Sequence, residues 1–274
     1  MEIIGENMNI MNPLFLKALE DKDNTTIYAM AQQQKENGVT GLDINLGQSK
    51  KLAELTPWLI ETVQNATNLP LFLSSHVLRQ PEILAKHSGT PVINAVTANT
   101  DELADAMRIA KNAGSALVVL LVSKELTPGD VNGRLELASQ VMDTAQQVGI
   151  PLSSLYLDPV ISCRPDPASW NLGNGLPDMD VIHESISLLK EMSAEWKTLV
   201  ALSNASISLP PGQRTAFHCR VLPLLAEAGL DAVILNSLDN KLMKVATTIN
   251  GQQLYHASGV DMRKSPENKQ EHVV

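Results

Sequence analysis

The sequence predicts an α/β fold: a single-domain (β/α)8 TIM barrel. Three observations predict it. Short, nearly continuous apolar runs alternate with longer amphipathic stretches from end to end, and such runs suit parallel strands buried on both faces. There are eight runs, each followed by a helical or short connection, the number that closes a barrel. The turn after the first run reads GENMNIMN, without the glycine fingerprint of a dinucleotide-binding open sheet.

The first run is EIIG (2–5), followed by a helical pattern over 25–37 that stops at Asn37-Gly38, a C-terminal stop signal. GLDINL (41–46) precedes a helix over 51–66, and PLFLS (70–74) precedes a short connection, 77–88. Pro81 in that connection suits the start of a small helix. PVINAV (91–96) leads to a helix over 101–113 closed by Gly114, and ALVVLLV (116–122) to one over 130–148 closed by Gly149. SLYLDPVI (154–161) is followed by an unusual loop, 163–180, rich in Pro, Gly and Asn, then by a helix over 178–194. TLVALSN (198–204) and DAVILN (231–236) are the last two strands, with helices over 214–228 and 239–250 closed by Gly229 and Gly251. Asp101, Asp130, Asp178 and Asp239 stand where an N-cap or first-turn acid is favourable.

Composition narrows the function. The formal charge is −9, which argues against nucleic acid or an anionic membrane surface, since both demand clustered Lys and Arg. No apolar run reaches membrane-spanning length. The acidic start, MEIIGENMNI, does not read as a signal peptide. The two cysteines, Cys163 and Cys219, are far apart and lack CxxC spacing, as expected of a reducing, cytoplasmic compartment. Cys219 falls in a helical pattern and reads as buried and inert. His76 reads as a loop residue; His87, His183 and His218 read as packing or surface residues of helices.

A barrel of this kind carries its site at the C-terminal strand ends. Those ends supply Glu6, Asn7 and Asn9; Asp43 and Asn45; Ser74, Ser75 and His76; Asn94; Ser123 and Lys124; Asp158; Ser203 and Asn204; and Asn236. The set is amides, hydroxyls and carboxylates. It contains no HxH, HExxH or Cys/His cluster, so no metal site is expected. It has no nucleophile elbow and no phosphate-cradling loop. It suits a flat, polar, largely neutral heterocycle: carboxylates accept from amino and ring N–H groups, and amides both donate and accept. Asp43 or Asp158 alone reads equally well as structural, and Asn94 or Asn204 alone reads as a turn former. Their convergence on one rim favours a pocket.

The motifs IIGENMN, GLDINLG, VINAVTAN, LYLDPVI and ALSNASISLP resemble those of the pterin-binding methyltransferases, and in particular methyltetrahydrofolate:corrinoid methyltransferase. Five motifs in order are together specific. The resemblance covers about residues 1–257 as one barrel domain and leaves 258–274 as a polar C-terminal tail. It implies tetrahydrofolate or methyltetrahydrofolate as substrate, a corrinoid (cobalamin) carried by a separate partner protein, and a homodimer. By motif, Asn94 and Asp158 would hydrogen-bond the pterin, and Asp43 and Asn45 would line the same pocket. Ser203 and Asn204 would lie beside the reacting edge, with Asn204 the catalytic group near N5. Arg214 matches a family arginine after the seventh strand. Two positions depart from the pattern: Ser74 stands where the family carries an acid, and Ile207 where it often has an amide. Both suit a divergent member in a catabolic demethylation pathway. Two alternatives are a dihydropteroate synthase-like enzyme and a non-catalytic pterin-binding protein. Against the first, GQSKK lacks the family's Arg-Pro-Gly, and ILNSL lacks its phosphate-gripping Arg-x-His.

Overall fold

The computed structural model describes residues 1–98, 100–122, 128–161 and 178–257. Eight parallel strands hydrogen-bond in chain order and close on themselves. They are β1 (Glu2–Asn9), β2 (Gly41–Asn45), β3 (Leu71–Ser74), β4 (Val92–Thr97), β5 (Ala116–Leu120), β6 (Leu155–Asp158), β7 (Lys197–Ala201) and β8 (Ala232–Leu235). Pairing of Glu2–Gly5 with Ala232–Leu235 makes the closure. The predicted barrel is the observed one.

Helices α1 (Pro13–Asp21), α2 (Asn24–Glu36), α3 (Lys50–Ala53), α4 (Thr56–Ala66), α5 (Thr100–Ala113), α6 (Val131–Val148), α7 (Met179–Met192), α8 (Pro211–Glu227) and α9 (Asn240–Ala257) surround it. Several boundaries differ from the sequence reading. β1 continues past Gly5 to Asn9, with its register to β2 shifting between Gly5 and Met8. β7 ends at Ala201, and Leu202–Ser206 form a 3₁₀ turn. The pattern over 51–66 splits at Glu54-Leu55 into α3 and α4. α1 was not expected; Asn12 caps it by accepting from the Leu14 N–H, and Pro13 opens it. The connection at 75–86 is two short 3₁₀ helices, and Pro81 opens the second as expected. α9 runs through Gly251, because a lone helical glycine is tolerated at roughly 1 kcal/mol. His87 follows the second of those 3₁₀ helices and is not helical; its Nε2 accepts from the Leu71 N–H.

The caps follow the prediction more closely. Asp130 accepts from Gly133 N–H, Asp178 from Asp180 and Val181, and Asp239 from Lys241 and Leu242. Gly149 ends α6 at φ 72°, a left-handed conformation that glycine adopts without steric penalty.

Burial separates two cores. Side chains at alternate strand positions enter the barrel: Ile4, Phe72, Val92, Val118, Tyr156, Leu199 and Ile234 form one cluster there. The intervening residues, such as Ile3, Leu42, Leu73, Ile93, Leu157 and Val200, pack outward under the helices. Each large apolar side chain so buried contributes about 1.5–3 kcal/mol. The N-terminal end of the barrel is closed by polar groups. Tyr156 donates its hydroxyl to Glu2 at 2.9 Å, and Lys197 Nζ donates to Glu2 at 2.6 Å and to Tyr156 at 3.2 Å. Burial, and then the charge of Glu2, push the Tyr156 hydroxyl up to about 12.

Candidate functional site

The same alternation determines what faces the C-terminal mouth. Two positions on from Ile4 is Glu6; from Phe72, Ser74; from Val92, Asn94; from Tyr156, Asp158. On β2 the inward positions are Gly41, Asp43 and Asn45, because Leu42 and Ile44 belong to the outer core. Acids and amides thus occupy the last inward layer of β1, β2, β4 and β6, and a hydroxyl that of β3.

Asp43 and Asp158 are buried. Asn94 Nδ2 donates to Asp43 Oδ1 at 2.9 Å, and no other hydrogen bond reaches the Asp43 carboxylate among the described residues. Burial pushes Asp43 up to about 7, with Asn94 pulling down and the charge of Glu6 pushing up. Asp158 is also pushed up to about 7 by burial, opposed by the Val160 N–H and the charge of Arg134. Val160 donates to Asp158 Oδ1 at 2.7 Å from a left-handed backbone, φ 58°. That conformation is rare for a β-branched residue, and here it turns the N–H back on the carboxylate.

Glu6 accepts from Ser203 Oγ at 2.8 Å. Burial raises its pKa, and the Ser203 hydrogen bond opposes the rise. Ser203 and Asn204 lie on the 3₁₀ turn after β7, with Ser203 half-buried and Asn204 exposed. The turn is held from below. Ser206 donates to the Ser203 carbonyl at 3.3 Å, and His218 of α8 contacts Ser206 Oγ at 2.8 Å. Since the Ser206 proton is spent on Ser203, His218 Nε2 is the donor. Burial lowers the His218 pKa.

The other candidates divide between cavity wall and scaffold. Asn45, Ser74 and Asn94 line a cavity of about 420 Å³ at the mouth. Asn45 Oδ1 also accepts from the Gly47 N–H, and Ser74 Oγ donates to the Ile44 carbonyl and accepts from the Leu46 N–H. Ser74 therefore ties β3 to β2. Asn236 accepts from Asn7 Nδ2 at 2.7 Å and from the Leu238 N–H; it organises the turn between β8 and α9, ties that turn to β1, and does not line the cavity. Arg214 donates to the Leu209 and Ile207 carbonyls and so braces the loop beyond the 3₁₀ turn. Ser123, Lys124, Cys163 and most of the 163–180 loop lie outside the described residues, as does the 258–274 tail. Cys219 is half-buried rather than buried, and burial raises its pKa.

Some supports were not legible in the sequence. Arg134 of α6 is buried, donating to the Pro159 and Asp130 carbonyls at 2.7 Å each, and it places a cation behind Asp158. Gln34 of α2 is buried and accepts from the Asn7 N–H and from Ser237. Gln34 presses on Gly5, where a Cβ would collide with its amide. Neither residue sits in a recognisable motif; an Arg or Gln in an amphipathic helix normally faces water.

Among the described residues, no group of three or more His, Cys, Asp or Glu is placed to hold a metal ion, and no helix is long and apolar enough to cross a membrane. The closed barrel gathers buried acids and amides at its C-terminal mouth. The chain matches the pterin binding enzyme family over residues 5–236 and belongs to it. It is 23% identical over 249 residues to the methylcorrinoid:tetrahydrofolate methyltransferase of Eubacterium limosum, covering 89% of this chain and 88% of that protein. It is 23% identical over 245 residues to the methionine synthase of Mycobacterium tuberculosis, covering 86% of this chain and 20% of that protein. Dihydropteroate synthase from Yersinia pestis with a sulfonamide drug has a TM-score of 0.65 at 13% identity, covering 92% of this chain and 94% of that one. Dihydropteroate synthase from Xanthomonas albilineans with 7,8-dihydropteroate has a TM-score of 0.63 at 18% identity, covering 92% and 93%. These two structures share the barrel fold.

Proposed function

We propose that the protein catalyses methyl transfer between N5 of tetrahydrofolate and the cobalt of a corrinoid carried by a partner protein. One observation carries the reading: two buried carboxylates, Asp43 and Asp158, sit at the mouth of a pterin-family barrel with Asn94 held against Asp43. A pterin offers an exocyclic amino group and ring N–H groups to such carboxylates, and a carbonyl to an amide. Asp43, Asn94 and Asp158 would hold the ring, with Asn45 on the adjoining wall. The methyl group would then face outward for in-line transfer. The name of the Eubacterium limosum relative supports the corrinoid as the other party.

When the methyl leaves N5, the bond pair stays on nitrogen, which must gain a proton or a hydrogen bond. Asn204 would supply the hydrogen bond, accepting from protonated N5 and donating to the unprotonated form. A well-placed group of this kind contributes about 2.7–4 kcal/mol. Ser203 and Glu6 would position the turn that carries it.

The test is anaerobic absorbance of free cob(I)alamin mixed with methyltetrahydrofolate and the protein. Rapid loss of the cob(I) band with formation of methylcobalamin is the expected result. Folate binding by calorimetry with no transfer, either to cob(I)alamin or from methylcobalamin to tetrahydrofolate, would favour a non-catalytic pterin binder. Condensation of a pterin pyrophosphate with p-aminobenzoate would favour a dihydropteroate synthase. The family resemblance also implies a homodimer, which sedimentation tests.

A further inference from the structure

The turn that carries Asn204 is gripped on two sides. Leu202–Ser206 form one five-residue 3₁₀ turn with no side-chain cap of its own, and the hydrogen bonds of such turns are poorly aligned. Its shape therefore depends on what it is tied to. On the barrel side, Ser203 Oγ donates to Glu6 at 2.8 Å. On the helix side, His218 Nε2 of α8 donates to Ser206 Oγ at 2.8 Å, and Ser206 in turn donates to the Ser203 carbonyl at 3.3 Å. Leu202, Ala205 and Ser206 are buried and Ser203 is half-buried, so Asn204 is the one exposed residue of the turn.

His218 is buried, with 7% of its surface exposed. An apolar side chain would fill that space without the cost of burying a polar ring. What the imidazole adds is a donor aimed at the turn. Arg214, one helical turn earlier on α8, donates to the Leu209 and Ile207 carbonyls just beyond it. One helix thus holds both the end of the turn and the chain that leaves it. Ser203 and Glu6 hold the turn from the pocket side, where a substitution would also alter the ligand's surroundings. His218 approaches from the helix side and does not line the cavity, so its effect on the turn can be measured alone.

We propose that His218 is a positioning residue for methyl transfer: through Ser206 it fixes the backbone of the turn, and so sets where Asn204 meets N5 of the folate. The inference rests on the reading above, in which Asn204 acts at N5. It adds a group that touches neither reactant and works only through the turn. Misplacing an acting group by about 1 Å is enough to slow the chemical step by up to about a hundredfold, while the ring-holding contacts of Asp43, Asn94 and Asp158 stay as they are.

Kinetics with cob(I)alamin and methyltetrahydrofolate, well below the melting temperature, test this. His218→Leu should lower kcat by about 10- to 30-fold, with the dissociation constant for methyltetrahydrofolate within about twofold of wild type. His218→Gln, whose amide nitrogen donates from about the same reach, should recover kcat to within about threefold. Ser206→Ala should reproduce the loss, and the Ser206→Ala/His218→Leu pair should lose little more than either alone. On an Asn204→Ala background, His218→Leu should cost less than about twofold. A packing role would instead multiply the two losses and would not be relieved by Gln; either result overturns the inference, as does an unchanged kcat in His218→Leu or Ser206→Ala. If His218→Leu does not fold, the cycle of Ser206→Ala with Asn204→Ala decides the matter in the same way. Absence of transfer by the wild-type protein overturns the methyl-transfer reading and this inference with it. An unchanged kcat in Asn204→Ala, with wild-type transfer intact, removes the group that His218 is said to position.

Discussion

Asn94 of β4 reaches across β3 to donate its amide to Asp43 of β2, at 2.9 Å. Side chains from alternate strands share a layer in a closed barrel, and this bond lies in the outermost one. Among the described residues it leaves the second Asp43 oxygen without a hydrogen bond, and it fixes the orientation of an amide that would also face the ligand.

Asp43→Asn should stabilise the empty protein, and the gain should depend on pH. The folded pKa of Asp43 is about 7 against an ordinary 3.8. Between those values the unfolded chain has released a proton that the native state still holds, so native stability falls as pH rises through the window. The substitution removes that slope and keeps an oxygen for Asn94. Thermal melts should show the variant ahead by on the order of 2 kcal/mol near pH 8, with the difference closing near pH 4. A constant difference across the range would mean that Asp43 does not titrate as described.

Pterin binding should release protons below about pH 7. Asp43 and Asp158 are half-protonated near that value, and ring N–H donors need the ionised form. Affinity should rise from about pH 5.5 to about pH 8 and then level off. Calorimetry in two buffers of different ionisation enthalpy would count the protons; none released at pH 6 contradicts the assignment.

Ser74→Ala should affect the fold more than the ligand. The hydroxyl bonds the Ile44 carbonyl and the Leu46 N–H, and losing it should destabilise the protein by about 1–2 kcal/mol. Pterin affinity should change by less than about threefold. A loss of about a hundredfold in affinity at unchanged stability would instead make Ser74 a direct ligand.

Asn204→Ala should leave stability nearly unchanged, since the residue is exposed, and should lower kcat by about 100- to 1000-fold. The dissociation constant for methyltetrahydrofolate should stay within about threefold. An unchanged kcat in the cob(I)alamin assay removes Asn204 from the mechanism.

The barrel was legible because each strand reads as a nearly continuous apolar run and several helices, α6 with Gly149 among them, carry their own stop. The position of the site was legible because barrel sites lie at the C-terminal strand ends. The roles of individual residues were less so. Asn45, Ser74 and Asn236 are equally polar in sequence, yet Asn236 turns to Asn7 and Leu238 while the other two face the cavity. One available signal is the period of two hidden inside the apolar runs: Glu2-Ile4-Glu6 and Tyr156-Asp158 fall on inward positions, while Asn7 follows the outward Gly5. Strand seven misled because Leu202 continues the apolar run, although the backbone has already entered a 3₁₀ turn. Arg134 and Gln34 are invisible to this logic, since tertiary packing alone decides that their helix faces are buried.

The floor made by Glu2, Tyr156 and Lys197, with the apolar cluster above it, means that the barrel is a chamber with one door. Whatever lodges against Asp43 and Asp158 entered at the C-terminal mouth, and must leave the same way. If both reactants use that door, arrival is sequential: the small flat molecule first, and the bulky carrier last, seated over it as a stopper. Competition patterns should then be asymmetric, with the carrier trapping bound folate and excess folate unable to enter once the carrier is seated.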